Sequence, residues 1–302
     1  AMPIGGANLI GGFIFGIGMT IAGACGSGTL YRCGMGYVQF WVVLLFAIAG
    51  NLLFALIYDP WAKNYFVEPL TMKEEGYTLF SLSNHYLLLP ILITAAMIAI
   101  AAYRFGWKRV TAGAIDMFTS WSGNPLKQPH WDIRFVGFAI GIVGTIQFAL
   151  MSNVSITGPE TRIGGVFVAT LFGDDAVYNN TYLNGMFAGY PNIGLGPEEV
   201  LIFFLIIGSF LAALFSGSFK LRFPKRNRLP YAILGGLLMG VGSRIAPGCN
   251  IANIITGVGG LSLSSFVAII GMMIGIFVVV AYVFKMPLML FYREKDDGGV
   301  SA

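Results

Sequence analysis

Long apolar runs parted by short polar stretches dominate the chain: 38–58, 86–105, 135–152, 199–216 and 262–284. Each has about the 20 residues that carry a helix through a hydrocarbon core. A membrane β-barrel would instead alternate apolar and polar positions in segments of about ten residues. Two further apolar stretches, 11–36 and 235–260, are interrupted at mid-length by Gly23, Gly26 and Gly28 in the first and by Pro247 and Gly248 in the second. Proline removes an N–H and glycine relaxes the backbone, so each of these helices is predicted to end beside a cysteine. The pattern predicts an all-α integral membrane protein with seven or more membrane segments.

The two interrupted stretches are related to each other. GGFIFGIGMTIAGACGSGTLYRCGMG at 11–36 aligns without a gap on GGLLMGVGSRIAPGCNIANIITGVGG at 235–260, matching Gly11/Gly235, Gly12/Gly236, Gly16/Gly240, Gly18/Gly242, Ile21/Ile245, Ala22/Ala246, Cys25/Cys249 and Gly36/Gly260. This predicts a single membrane domain over 1–302, with repeat unit A at 8–58, repeat unit B at 230–284 and linking helices within 86–216. The expected fold is a polytopic helical bundle with an internal repeat and broken or re-entrant half-helices meeting at the membrane midplane. GxxxG pairs at Gly12/Gly16, Gly236/Gly240 and Gly137/Gly141 are expected at close helix contacts.

The charge of the polar stretches sets an orientation. Residues 217–229 carry Lys220, Arg222, Lys225, Arg226 and Arg228 with no acid, whereas 153–198 carries Glu160, Asp174, Asp175 and Glu198 against Arg162 alone. The positive-inside rule places 217–229 and 104–134 in the cytoplasm, and 59–85 and 153–198 outside. Within 153–198, residues 161–172 are expected to form a short helix at the surface or dipping inward, with a structural role, and 185–197 reads as loop. The tail after Lys285 is left on either side, depending on whether 235–260 crosses the membrane once or dips and returns.

Composition agrees with a membrane protein: 56% of the 302 residues are hydrophobic and only 11% charged, with a mean hydropathy of +0.76, against about 25% charged for soluble domains. The net charge of +4 sits in the loops, and no basic and aromatic surface of the nucleic-acid-binding kind is present. The start AMPIGGANL lacks the basic region of a secretory signal. No Walker loop is present, and Glu68 and Asp116 fall in predicted loops, so neither ATP use nor a buried acidic proton relay is expected. Passive conduction fits this picture.

The candidate chemistry lies at the two breaks. Non-helical backbone at membrane depth has to be buried in protein or line a cavity, and paired interrupted helices in corresponding halves point to a transporter's binding site. Short elements after each break, 27–34 and 250–257, would aim free N–H groups and a positive dipole end at an anion. Cys25 and Cys249 are the leading site residues, followed by Gly26, Ser27, Asn250 and Arg244; Cys33 is a weaker candidate because Gly257 stands opposite it in the repeat. Ser27 and Asn250 have a second reading as N-caps, Arg32 as a side chain reaching the interface, and Arg244 as a donor to loop carbonyls. With no CxxC, and with His85 and His130 far from the thiols, neither metal nor cofactor is expected. A disulfide between the repeats is geometrically open.

At these residues the chain resembles the YeeE/YedE family of sulfur-compound transport proteins. The family motif GGxxFGxGxxxAGxCxxG is matched by Gly11 to Gly28, and more loosely by Gly235 to Cys249, with Met239 and Pro247 at departing positions. The helices after each motif, together with TGPETRIGG and KLRFPKRNR, extend the similarity over most of the chain. The resemblance implies an hourglass-shaped inner-membrane protein in which Cys25 and Cys249 pass thiosulfate onward by S–H···S contacts, without a covalent adduct. Members often carry an upstream segment with another cysteine; with the Ala1-Met2 start, its absence leads to the expectation of a missing N-terminal region or a divergent subfamily. The YedE branch is associated with selenium metabolism.

Three functions are open at this point. The first is an uptake transporter, not an enzyme, for thiosulfate or a related sulfur-containing anion. The second is a membrane thiol redox partner of a small cytosolic sulfur-carrier protein docking on 217–229, and the third a structural subunit whose cysteines only pack.

Overall fold

The computed structural model describes residues 4–59, 63, 71–73, 88–107, 132–150, 155–190 and 192–283. Glu68, His85, Asp116, His130 and the tail after Lys285 lie outside them. In chain order the helices are α1 (Gly6–Ala22), α2 (Gly26–Gly34), α3 (Val38–Ile57), α4 (Leu88–Phe105), α5 (Ile133–Leu150), α6 (Thr157–Phe172), the short α7 (Asp175–Tyr178) and α8 (Thr181–Met186), α9 (Pro197–Phe215), α10 (Leu229–Ile245) and α11 (Leu263–Val278). An arm wound as a π-helix over Ala252–Val258 stands between α10 and α11. Ile4–Gly5 pairs antiparallel with Thr71–Lys73. Long apolar helices with outward-facing side chains such as Leu45, Leu56, Phe204, Ile270 and Met273 make this a polytopic helical membrane protein.

Both predicted breaks are present. α1 stops because Gly23 turns left-handed, at φ +81°, while its N–H closes on Met19 O at 3.0 Å. α10 stops where Pro247 has no N–H to give; Gly248, at φ +135°, then bonds back to Ser243 O at 2.8 Å. A residue with a side chain would be strained at either glycine.

Glycines also set how the long helices pack. A methyl on Gly18 would stand 2.7 Å from Met239 N and one on Gly242 2.6 Å from Phe15 N, while Gly11 abuts Ala246 and Gly235 abuts Ala22. These contacts are reciprocal under the same sequence offset, and they run α1 antiparallel to α10. Gly12 and Gly16 lie against Ala268 O and Met272 O of α11, and Gly236 and Gly240 against Val43 O and Ala47 O of α3. Each first helix thus runs parallel to the long helix of the other block. α11 therefore heads back to the side from which α10 starts.

Two expectations change. Gly137 and Gly141 have no atom within 4 Å of where a side chain would begin, so among the described residues this GxxxG pair packs against nothing. The 153–198 stretch is not an external loop throughout: α6 starts four residues earlier than the predicted 161–172 helix, and Thr157, Pro159, Glu160, Thr161 and Arg162 are buried. α6 lies along α3, with Gly164 against Ile48 and Leu52, and extends to the small outer cluster of Ala55, Ala169, Val177, Leu183 and Phe187. The polar first turn is tolerated because α9 and α10 bring partners to it.

Candidate functional site

Three helices begin at one place. Gly26, the first residue of α2, lies against Ile156, whose Cγ2 would be 3.5 Å from a side chain there. Ile156 is the residue from which α6 starts. The Cys249 thiol lies beside the backbone of Ile156, Thr157 and Ala252, so the start of the second arm closes the group. Helix starts carry unpaired N–H groups and the positive end of the dipole. Here α2, α6 and the arm bring such ends together inside the fold.

The cysteines differ in setting. Cys25 is half-buried, with Sγ 3.5 Å from Ser27 Oγ, and its carbonyl accepts from Thr29 N and Thr29 Oγ1 at 2.8 and 2.9 Å. Cys249 is fully buried, and its carbonyl accepts from Asn253 N and Nδ2, both at 3.0 Å. Thr29 and Asn253 occupy corresponding positions of the two blocks and do the same work: each ties its arm to the cysteine one turn back. Cys33 is buried in the central core with Leu30 and Ile202. All three thiols are free, so the disulfide is not formed.

The capping readings are corrected. Cys25, not Ser27, is the N-cap residue of α2, with no side-chain cap bond, and Ser27 belongs to the first turn with its hydroxyl on the thiol. Asn250 caps nothing either: its Oδ1 is buried without a hydrogen-bond partner. Arg32 does not simply reach outward; its Nη1 donates to Gly23 O at 2.5 Å and its guanidinium lies 4.8 Å over the Phe40 ring, so it satisfies a carbonyl freed by the break. Arg244 is 7% exposed. Its Nη2 donates to Thr157 Oγ1 at 2.6 Å and its Nε to Ser243 Oγ at 3.3 Å, so its partners are hydroxyls instead of loop carbonyls.

Glu160 overturns the expectation of no buried acid. It is 1% exposed, one turn into α6, and its Oε2 has no hydrogen-bond partner. It lies near the Cys33 and Cys249 thiols and near Arg244. Two residues on, Arg162 is bound instead to Glu198 and Glu199 of α9, each at 2.5 Å, with the Tyr190 ring 5.0 Å from its guanidinium carbon. Sequence reading missed this turn because five polar or proline residues in six resemble a loop. One signal was present: Thr157 and Glu160 have the T-x-x-E spacing that precedes an apolar helical run.

Residues 1–278 match the family model described as sulphur transport. The thiosulfate transporter TsuA of Spirochaeta thermophila is 30% identical over 281 residues, 89% of this chain and 74% of that protein. The thiosulfate transporter TsuA of Escherichia coli K12 is 25% identical over 293 residues, 93% of this chain and 75% of that one. The probable transporter YedE of Escherichia coli K12 is 34% identical over 152 residues, 48% of this chain and 37% of its own. The chain belongs to the sulphur-transport family of multi-pass membrane proteins.

Proposed function

We propose that the chain takes up thiosulfate, or a closely related sulfur-containing anion, across the cytoplasmic (inner) membrane, through the point where α2, α6 and the second arm begin. The observation that carries this reading is the convergence of three helix starts around Ile156, with Arg244 and the Cys249 thiol at the same place. Helix starts and a guanidinium favour the oxygens of an anion, and thiols offer weak S–H donors to soft sulfur. The protein acts as a permease and not an enzyme: Cys25 and Cys249 contact the ion in turn, and no bond to sulfur forms. Gly26 and Ser27 present backbone and hydroxyl beside Cys25, and Asn250 does the same beside Cys249.

On this reading repeat units A, 8–58, and B, 230–284, form one membrane domain and are inverted copies. The reciprocal contacts between α1 and α10 support a two-fold relation across the membrane plane. The two arms are then half-helices meeting near the midplane, and the basic 217–229 segment faces the cytoplasm, where a small sulfur-carrier protein would receive the ion.

Sulfur-limited growth of a strain lacking other thiosulfate importers tests the proposal. The chain is expected to restore growth on thiosulfate, and Cys25→Ala and Cys249→Ala are each expected to abolish it at unchanged expression. Well-expressed wild type without growth would remove thiosulfate as substrate, and growth on both alanine variants would remove the thiol relay.

A further inference from the structure

Glu160 is the feature that anion transport leaves unexplained. A carboxylate beside the path of a doubly charged anion repels it, and an ionised group with an unpartnered oxygen is costly to bury. Yet Glu160 is 1% exposed and its Oε2 has no donor within reach. The nearby cation does not neutralise it by contact: no ion pair joins the two among the described residues, and Arg244 donates through Nη2 to Thr157 and through Nε to Ser243, with further N–H groups left for a ligand.

Among the described residues, the surroundings of Glu160 offer no other ionic partner. α2 presents the Cys33 thiol, the base of the second arm the Cys249 thiol, and α10 Arg244. α3 contributes the apolar Ile48 and Leu52 along α6. On α9, Glu198 and Glu199 are bound to Arg162, and Asp174 and Asp175 lie exposed at the outer end. A carboxyl in this position is useful to an anion in one form, the neutral acid, whose O–H is a donor.

We propose that Glu160 is an anion-binding residue that carries a proton: it donates its O–H to the bound anion, and each anion is taken up together with one proton drawn from the entry side. This rests on the anion-transport reading above and adds to it a source of energy coupling, replacing passive conduction. Deprotonation of Glu160 restores the negative charge and expels the anion, so affinity falls as pH rises through the titration of this group. The helix starts and Arg244 hold the anion, and Glu160 decides when it is held.

The test is calorimetry of sodium thiosulfate binding to the purified full chain, in pairs of buffers of different ionisation enthalpy, between about pH 5 and pH 9. Wild type is expected to take up close to one proton per anion at the alkaline end, with affinity falling roughly tenfold per pH unit there. Glu160→Gln, which keeps a donor but cannot ionise, is expected to bind with pH-independent affinity and no proton uptake. Wild-type binding without proton uptake across the range overturns the proposal, whatever the variant's folding. An unchanged pH dependence in folded Glu160→Gln overturns it as well. Absence of any thiosulfate binding by wild type is a different failure, that of the substrate reading, and the proton role falls with it.

Discussion

The two cysteine arms come from one sequence pattern and are built to different tolerances. In the first, α2 is a regular helix, Arg32 folds back on Gly23 O, and Cys25 keeps partial exposure beside Ser27. In the second, the backbone is stopped by Pro247 and Gly248 and rewound as a π-helix, and Cys249 is sealed under the start of α6. Among the described residues, only the second arm has a third element, α6, seated on its thiol. The pairs Gly11–Ala246 and Gly235–Ala22 keep the frame alike while each arm acquires its own surroundings. Duplicated geometry therefore fixes where the thiols lie, and the linking segment between the copies makes them unequal.

The frame is the place to break the comparison hardest. In both Gly16→Leu and Gly240→Leu the first side-chain carbon would stand 2.3 Å from a carbonyl, Met272 O in one case and Ala47 O in the other. Overpacking by even a few methylenes costs about 1–3 kcal/mol. Both variants are expected to lose the monodisperse peak in detergent gel filtration, to the same extent. A variant that folds while its counterpart fails would show that the two crossings do not bear equal load.

Thiol chemistry sharpens the comparison at the arms. A water-soluble maleimide is expected to modify Cys25 at least about tenfold faster than Cys249, read by mass spectrometry on the Cys33→Ala background, because thiol reactivity needs access as well as thiolate. Equal rates would contradict the sealing of Cys249 by α6. The smallest effect is expected where the arms are most alike. Thr29→Ala and Asn253→Ala each remove a side-chain bond to a cysteine carbonyl, and each should lower stability by about 1 kcal/mol. Matched shifts of the thermal midpoint are the expected result; a shift confined to one variant breaks the equivalence of the two ties.

Much of this frame is legible in the chain itself. The breaks follow from Gly23, Pro247 and Gly248, and the spans from uninterrupted apolar runs, because both are local effects of backbone chemistry and hydrocarbon thickness. α6 is not legible in the same way. Its buried turn depends on Arg244, 87 residues further along, and on Glu198 and Glu199, 36 and 37 residues from Arg162. Polar residues whose partners are remote look like a solvated loop until the fold assembles. The capping reading of Ser27 fails for a related reason: capping is a matter of one residue's register, and the break begins α2 one position after the cysteine.

The exchange of partners between the halves has a consequence for biogenesis. α1 finishes its packing only against α10 and α11, which leave the ribosome more than 200 residues later. At about 5–20 residues per second, that is a wait on the order of ten to forty seconds. Throughout it, the glycine face of α1 lies open to lipid or to the insertion machinery. A stalled or truncated chain would present this face to any helix able to fill it, which makes the early membrane intermediate, more than the finished protein, a natural substrate for membrane quality control.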